Sequence, residues 1–521
     1  MAKTDVAYAT GDPALQNFYS YQASLDTFDA IIEEKGRVRY PRKDLADTLA
    51  RQYAKLPAKA LVLNNIAALR LESSFTIVTA HQPCLLLGPL YFIYKALTTI
   101  NLAEAVQERS AGKHRIIPVY VLGSEDHDLE ELNKANLFGK QVVWEPQESG
   151  PVGSMKAAST AAALIEVKSI LGDSPAAQTL HQRVAAAYSG EKNFAEATQA
   201  LLHEFLGDMG LVVLNMNNRE LKQHFIPVMR QELLEQPSVN IINETIDQLN
   251  AAGFKTQAAP REINLFYMKP GLRERIVQEG DAFKVLNTEL SFSSTEILAE
   301  LEAHPEHFSP NVVLRPLFQE IILPNLAYVG GGGELAYWLE RKAQFKHFGV
   351  LFPMLVRRHS VLWLDKDALK KLEKLGFIAA ALFGDTDALV REYIEHHSES
   401  TLSFAAERDE LRTLYDKLAQ KAATVDPTLE KALLAEAVKA ASGLEQWESR
   451  LLRTEKQKHE VAINQLRNLK EKMFPHNGLQ ERTDNILPLL LKHGDVFLSE
   501  LKTAFQPFDQ GFLILQPEED Q

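Results

Sequence analysis

Four short apolar runs limit what this chain can become: residues 75–79 (FTIVT), 116–122 (IIPVYVL), 211–215 (LVVLN) and 350–356 (VLFPMLV). Each is too brief for a helix, and each is nearly continuous in hydrophobicity, the pattern of a strand covered on both faces. Helical segments alternate with them up to about residue 400, so the expected core is a parallel sheet made of βα units. Pro118 and Pro353 weaken the second and fourth strands, because proline cannot donate to a ladder.

A chain of 521 residues exceeds one simple core, and its 45% hydrophobic and 24% charged residues are those of an ordinary globular protein. Residues 1–400 are expected to form the core, with insertions at roughly 150–205 and 220–310. Within them, 157–163, 185–187 and 194–206 suggest helices, and 262–287 a small β-containing element. Past residue 400 glycine almost vanishes. Leu411, Leu414 and Leu418 share one helical face, and Ala437, Ala440, Leu444, Trp447 and Leu451 recur at spacings of three and four. With Pro427 early in the second helix, residues 401–475 suggest an antiparallel helical hairpin, packed on the core or dimerising, and 476–521 a segment returning to the core. The net charge of −13 argues against a general nucleic-acid binder, which needs a basic surface. One cysteine suits a reducing compartment, the first residues lack a signal-peptide pattern, and no window spans a bilayer. A cytoplasmic protein, bound to neither membrane nor nucleic acid, is expected.

Ligands of an open parallel sheet bind beyond the carboxyl ends of its strands, and three polar clusters fall there. The first follows 75–79: His81, Gln82 and Gly88, then a helix expected to begin at Pro89 and to carry Tyr91 and Lys95. Its opening N–H groups would favour an anion; otherwise Lys95 is a surface lysine and His81 a simple hydrogen-bonding residue. Cys84, among Pro83 and leucines, suits packing rather than nucleophilic attack. The second cluster is Gly123, Ser124, Glu125, Asp126, His127 and Asp128. Its carboxylates and imidazole could orient an amine, take its proton or hold a divalent metal; the plainer alternative is an acidic helix start. The third joins Asn311, Arg315 and Gln319 to Gly330, Gly331, Gly332 and Gly333, followed by Glu334 and Tyr337. Such glycines offer bare N–H groups to phosphate, or form a flexible turn, and match neither a Walker A loop nor a dinucleotide fingerprint.

In their order along the chain, TAHQPCLLLGPLYFIYK, SEDHD, NLFYMKPGLRERI, SPNVVLRPLFQEIILPNLAYVGGGGELAYW and KEKMFPHNGLQERTDNILPLL resemble the BshC family, the cysteine ligases of bacillithiol biosynthesis. The chain departs from the family pattern at Ala80-His81-Gln82, often Gly-Gln-Gln there, and at Gly330 to Gly333, often Gly-Gly-Pro-Gly. The resemblance implies an α/β fold: a Rossmann-like parallel-sheet core with connecting insertions, plus a C-terminal coiled-coil hairpin that forms a homodimer. It implies joining the carboxyl of L-cysteine to the glucosamine amine of glucosaminyl-malate, through an acyl group activated with ATP. Gly88, Pro89, Lys95, Arg315 and the glycine segment would serve phosphates; Arg273, Arg275 and Arg358 the malate carboxylates; Asp126, His127 or Asp128 the proton. His81 and Gln82 join those three as catalytic residues, and Tyr91, Ser124, Glu125, Asn311, Gln319, Glu334, Tyr337 and Arg482 as substrate or nucleotide contacts; no metal ligand is assigned. An activating enzyme for another acid and amine, resembling a nucleotidyltransferase, and a nucleotide-binding coiled-coil scaffold are the alternatives. The ligase expectation requires His81, His127 and Glu334 to meet at one mouth, and Asp126→Asn and His127→Ala to abolish product.

Overall fold

The computed structural model describes residues 3–398, 403–509 and 511–517. It divides into two compact units, residues 1–360 with 481–512, and residues 361–480 with 513–521. The change in composition near residue 400 therefore falls inside the second unit. It marks where the long helices begin, not where the second unit starts.

At the centre of the first unit is a five-stranded parallel sheet of β1 (Ser74–His81), β2 (Arg115–Leu122), β3 (Val212–Asn215), β4 (Asn325–Gly330) and β5 (Met354–Arg357). Its spatial order, β5-β4-β1-β2-β3, is the Rossmann-like arrangement, with the switch in direction between β1 and β4. The side chains of β1 alternate between two cores, as a pleated strand requires. Val78 and Ala80 enter one, while Phe75 and Ile77 enter the other beneath α2 (Tyr91–Arg109).

Sequence and structure differ at three places here. Residues 325–330 were not anticipated as a strand, yet Ala327 and Tyr328 pair with Ile77 and Val78 next to the centre of the sheet. Pro118 stands inside β2 opposite Ile77, just before pairing with β3 begins at Val119, where a missing N–H matters least. The fourth apolar run, 350–356, becomes β5, which begins only after Pro353.

The insertions take the expected kinds. Helices occupy Ala161–Leu171, Pro175–Tyr188 and Phe194–Leu206. A second, antiparallel sheet has the order Phe308–Pro310, Leu265–Lys269, Leu272–Glu279, Ala282–Val285, Ser291–Ser293. In the second unit, Ala405–Ala423 and Pro427–Lys458 form an antiparallel hairpin. Asp426 caps the second of these helices through Thr428 N, and Pro427 occupies a first-turn position that lacks a partner for an N–H in any case. Arg408 bridges the pair, 3.5 Å from Glu445 and 3.4 Å from Glu448. Leu414, Leu418, Trp447 and Leu451 remain exposed.

Candidate functional site

Beyond the carboxyl ends of β1, β2 and β3 lies a cavity of about 280 Å³. His81 and Gln82 reach it from β1, the turn after β2 brings Ser124, Glu125 and Asp126, and Met216 and Asn217 follow β3. Asn311 and Arg315 stand at the start of α3 (Arg315–Ile322), and Glu334 and Tyr337 on α4 (Gly332–Leu339). Arg273 comes from the second sheet. Positions far apart in sequence converge because consecutive strands of a parallel sheet end on the same side.

Its floor at the switch point is an ion pair. Lys95 Nζ, fully buried, donates to Glu334 Oε1 at 2.8 Å and to the Ala80 carbonyl at 2.5 Å. Glu334 also accepts from Tyr328 Oη at 2.7 Å and Gly331 N at 2.9 Å. Burial alone would raise its pKa, but Lys95, His81 and the Gly331 N–H hold it down to about 2. Lys95 thus neutralises a carboxylate and is not a free cation for phosphate.

His81 Nδ1 accepts the Gln82 N–H at 2.9 Å, and Nε2 lies 3.1 Å from Tyr91 Oη. Burial, with Lys95 nearby, lowers its pKa to about 3, so the ring is neutral and a poor base. The unfolded chain takes up a proton near the ordinary pKa of about 6.5 that the folded chain refuses until about pH 3. His81 therefore costs nothing above pH 6.5 and destabilises as pH falls towards 3, by at most about 1.4 kcal/mol per pH unit. Denaturant melts from pH 7 to 4.5 should show this slope, and His81→Gln should flatten it; an unchanged slope would contradict the assignment.

Asp126 anchors the opposite wall. Gln82 Nε2 donates to its Oδ2 at 2.9 Å, while the N–H groups of His127 and Asp128 reach Oδ1 at 2.7 and 3.3 Å. Burial pushes the carboxyl up, and these bonds with the Arg273 charge outweigh it, leaving Asp126 below the usual range. Arg273 lies 3.9 Å over the Phe266 ring and donates to Ser309 Oγ at 3.1 Å and His127 Nδ1 at 2.7 Å. Ser309 in turn donates to Glu125 Oε2 at 2.6 Å, and Glu125 pairs with the fully buried Lys222. Opposite, Arg315 reaches Gln319 Oε1 at 3.1 Å and Tyr337 Oη at 3.2 Å.

Other residues expected at the site stand outside the cavity lining. The ring of His127 reaches it through its bond to Arg273 and stands 3.9 Å from Asp126 Oδ1, and Asp128 precedes the short helix Leu129–Leu132 without a side-chain bond to it. Gln319 lies behind Arg315 against Glu320. Arg358 is buried against Glu481 at 2.7 Å, and Arg482 is exposed. Arg275 faces Phe266 in the second sheet, outside the lining.

Neither expected phosphate cradle is open. The helix begins at Tyr91, not Pro89, because Pro89 forms a bridge with Asn485 and Leu90 N donates to Asp484 O at 2.8 Å. Leu86, Leu87 and Gly88 all have left-handed backbones, with φ of 53, 66 and 64°. Asn485 Nδ2 holds that turn through the carbonyls of Leu86 at 2.9 Å and Gly88 at 2.7 Å. Cys84 packs beneath Gly88, and burial pushes its thiol up, away from a reactive thiolate. In the glycine segment, Gly330 ends β4 and Gly331 N is taken by Glu334. At Gly332 an added Cβ would stand 2.3 Å from the carboxyl carbon of Asp5, which pairs with Arg357 at 2.8 Å. Asp5, on the helix Lys3–Ala9 (α1), already fills the place of an anion there.

Met216 and Asn217 went unmarked in sequence, although the strand-end rule that marked His81 and Asp126 points equally to them. Lys222 and Ser309 carried no comparable signal.

Comparison with known proteins follows the same outline. Residues 2–359 match the family described as "Bacillithiol biosynthesis BshC, N-terminal Rossmann-like domain", and residues 361–517 its "C-terminal coiled-coil domain". "Putative cysteine ligase BshC" of Flavobacterium johnsoniae is 38% identical, with 96% of this chain and 94% of that protein covered. The protein so described from Flavobacterium psychrophilum is 37% identical over 99% of this chain and 97% of its own. That of Bacillus mycoides is 26% identical over 95% and 94%.

Proposed function

The chain belongs to the BshC family of bacillithiol biosynthesis, and from that premise we propose that it joins the carboxyl group of L-cysteine to the glucosamine amine of glucosaminyl-malate. One observation carries the proposal: the guanidinium groups of Arg273 and Arg315 and the carboxylates of Glu125, Asp126 and Glu334 all face one cavity. An amino acid with both charges, meeting a sugar that bears two carboxylates, needs fixed partners of both signs. Arg315 and Arg273 suit the carboxylates, and Glu334 and Asp126 suit the cysteine ammonium.

The attacking amine must be neutral. Asp126 and Glu334 are held too acidic to take its proton efficiently near pH 7, and His81 too weakly basic. An ordinary amine with pKa of about 8 is partly neutral near that pH without help. The cavity's task is then to position the amine and exclude water rather than to deprotonate.

A carboxylate is a poor electrophile, and ATP is the proposed activating co-substrate. Of the phosphate donors that the sequence suggests, Arg315 faces the cavity, and the others do not fit that role as they stand. Lys95 is committed to Glu334, Asp5 fills the glycine segment, and the start of α2 is covered by residues 484–485. No step is assigned to those residues on that account.

The test is thiol mass spectrometry of cells with and without the gene. Loss of the cysteinyl product with build-up of glucosaminyl-malate is the expected result; unchanged thiols would overturn the proposal. A homodimer is proposed through the hairpin, whose Leu414, Leu418, Trp447 and Leu451 are exposed. Removing most of residues 405–470 should give monomers in sedimentation, and a persisting dimer would place the interface elsewhere.

A further inference from the structure

Away from the cavity, the helix Ser294–Ala303 is followed by a single 3-10 turn, Pro305–His307. Such a turn has three residues per revolution, so side chains three apart stand over one another. His304 and His307 do so: their rings lie 4.8 Å apart and 22° from parallel, so that one ring must turn about its side-chain bonds for both to hold one ion, and His307 N closes the turn on His304 O at 2.9 Å. Glu306 projects into the same space, and ligand atoms from the three residues lie within 4.8 Å of one another.

We propose that His304, Glu306 and His307 form a binding site for a divalent transition metal ion of the zinc class. Three features beyond proximity support it. Glu306 Oε2 is buried and has no hydrogen-bond partner among the described residues, which is costly unless a cation occupies the gap. His307 Nδ1 lies 2.7 Å from Glu300 Oε1, which also accepts from Tyr267 Oη at 2.6 Å. An ionised carboxylate only accepts, so Nδ1 carries the proton and Nε2 keeps its lone pair, the carboxylate–histidine arrangement that orients metal ligands. Two imidazoles and one carboxylate, half open to solvent, are also the ligand types of zinc sites that leave a coordination position for water.

The competing contacts are weak. Glu306 Oε1 lies 3.4 Å from His304 Nδ1 and 3.5 Å from Arg219, both long for a strong bond, and Arg219 is half exposed and able to swing away. A metal here would stiffen the turn that enters the strand Phe308–Pro310, whose Ser309 joins Arg273 to Glu125 at the cavity wall. Lys222, which pairs with Glu125, also reaches the Glu306 carbonyl at 3.4 Å. This inference stands apart from the ligase proposal, since the site needs no substrate.

Cobalt(II) is the probe, added to the full-length protein after chelator treatment. The wild type is expected to take up one equivalent at micromolar concentration with a visible ligand-field band, displaced by zinc. His304→Ala and His307→Ala should each abolish the band and weaken binding at least tenfold. Glu300→Gln, which keeps an acceptor oxygen for Tyr267 but removes the charge that orients His307, should weaken binding by about 10- to 100-fold while leaving circular dichroism unchanged. No band in the wild type, or a band that survives either histidine substitution, would overturn the site.

Discussion

Lys95→Met is expected to destabilise the protein by about 3 kcal/mol or more, the lower end of what removing one partner of a buried ion pair costs. The lower end applies because Glu334 keeps 23% exposure, on the cavity side, and is not wholly cut off from water. Without Lys95, Glu334 loses its largest stabilising charge, and its carboxyl must climb from about 2 towards neutrality. The Ala80 carbonyl at the end of β1 loses its donor as well. Urea unfolding at pH 7 measures the effect, and adding Glu334→Leu should recover part of it by removing the stranded charge. A loss below about 1 kcal/mol would mean that the pair contributes little.

Asp126→Asn should reduce product formation by about 30-fold or more, while His127→Ala should reduce it less than tenfold. An asparagine keeps one acceptor for the N–H groups of His127 and Asp128, but turns an amide donor towards Gln82 Nε2, itself a donor. It also removes the negative charge near Arg273, 4.0 Å away. Disrupting a buried, hydrogen-bonded charge costs about 2–5 kcal/mol, of which the lower end applies to Asp126 with its 31% exposure, and each 1.4 kcal/mol is a factor of ten. His127 is half exposed and outside the lining; its side chain bonds Arg273, which keeps its stack on Phe266, and the bond from its backbone N–H to Asp126 survives the substitution. Steady-state rates with purified variants decide between them. Equal losses would return His127 to the chemistry, as its place in SEDHD first suggested.

The parallel sheet was legible because burial on both faces leaves a plain mark: apolar runs too short for helices. The strand 325–330 was not legible because Pro324 precedes it and it runs straight into the glycines, so that its short apolar stretch resembles part of one long turn. Site residues were readable where a strand end and an unusual polar cluster coincide, as at Gln82 and Asp126. Lys222 was not readable, since an isolated lysine in a helical stretch looks the same whether it faces solvent or a buried glutamate. The glycine segment shows the opposite failure. Its composition suggests an open cradle, and only the fold reveals that Asp5, more than 300 residues earlier, occupies it.

The clamp of Asn485 on the turn at residues 86–88 sets an order of events during synthesis. Three successive left-handed residues do not hold their shape unaided, and two of their carbonyls depend on one amide made some 400 residues later. A growing polypeptide can lay down its sheet early, as soon as the five strands have left the ribosome. The turn that leads into α2 acquires its final outline only once Asn485 has been made, so fragments ending before that asparagine should fold in part and yet leave residues 86–88 without their clamp.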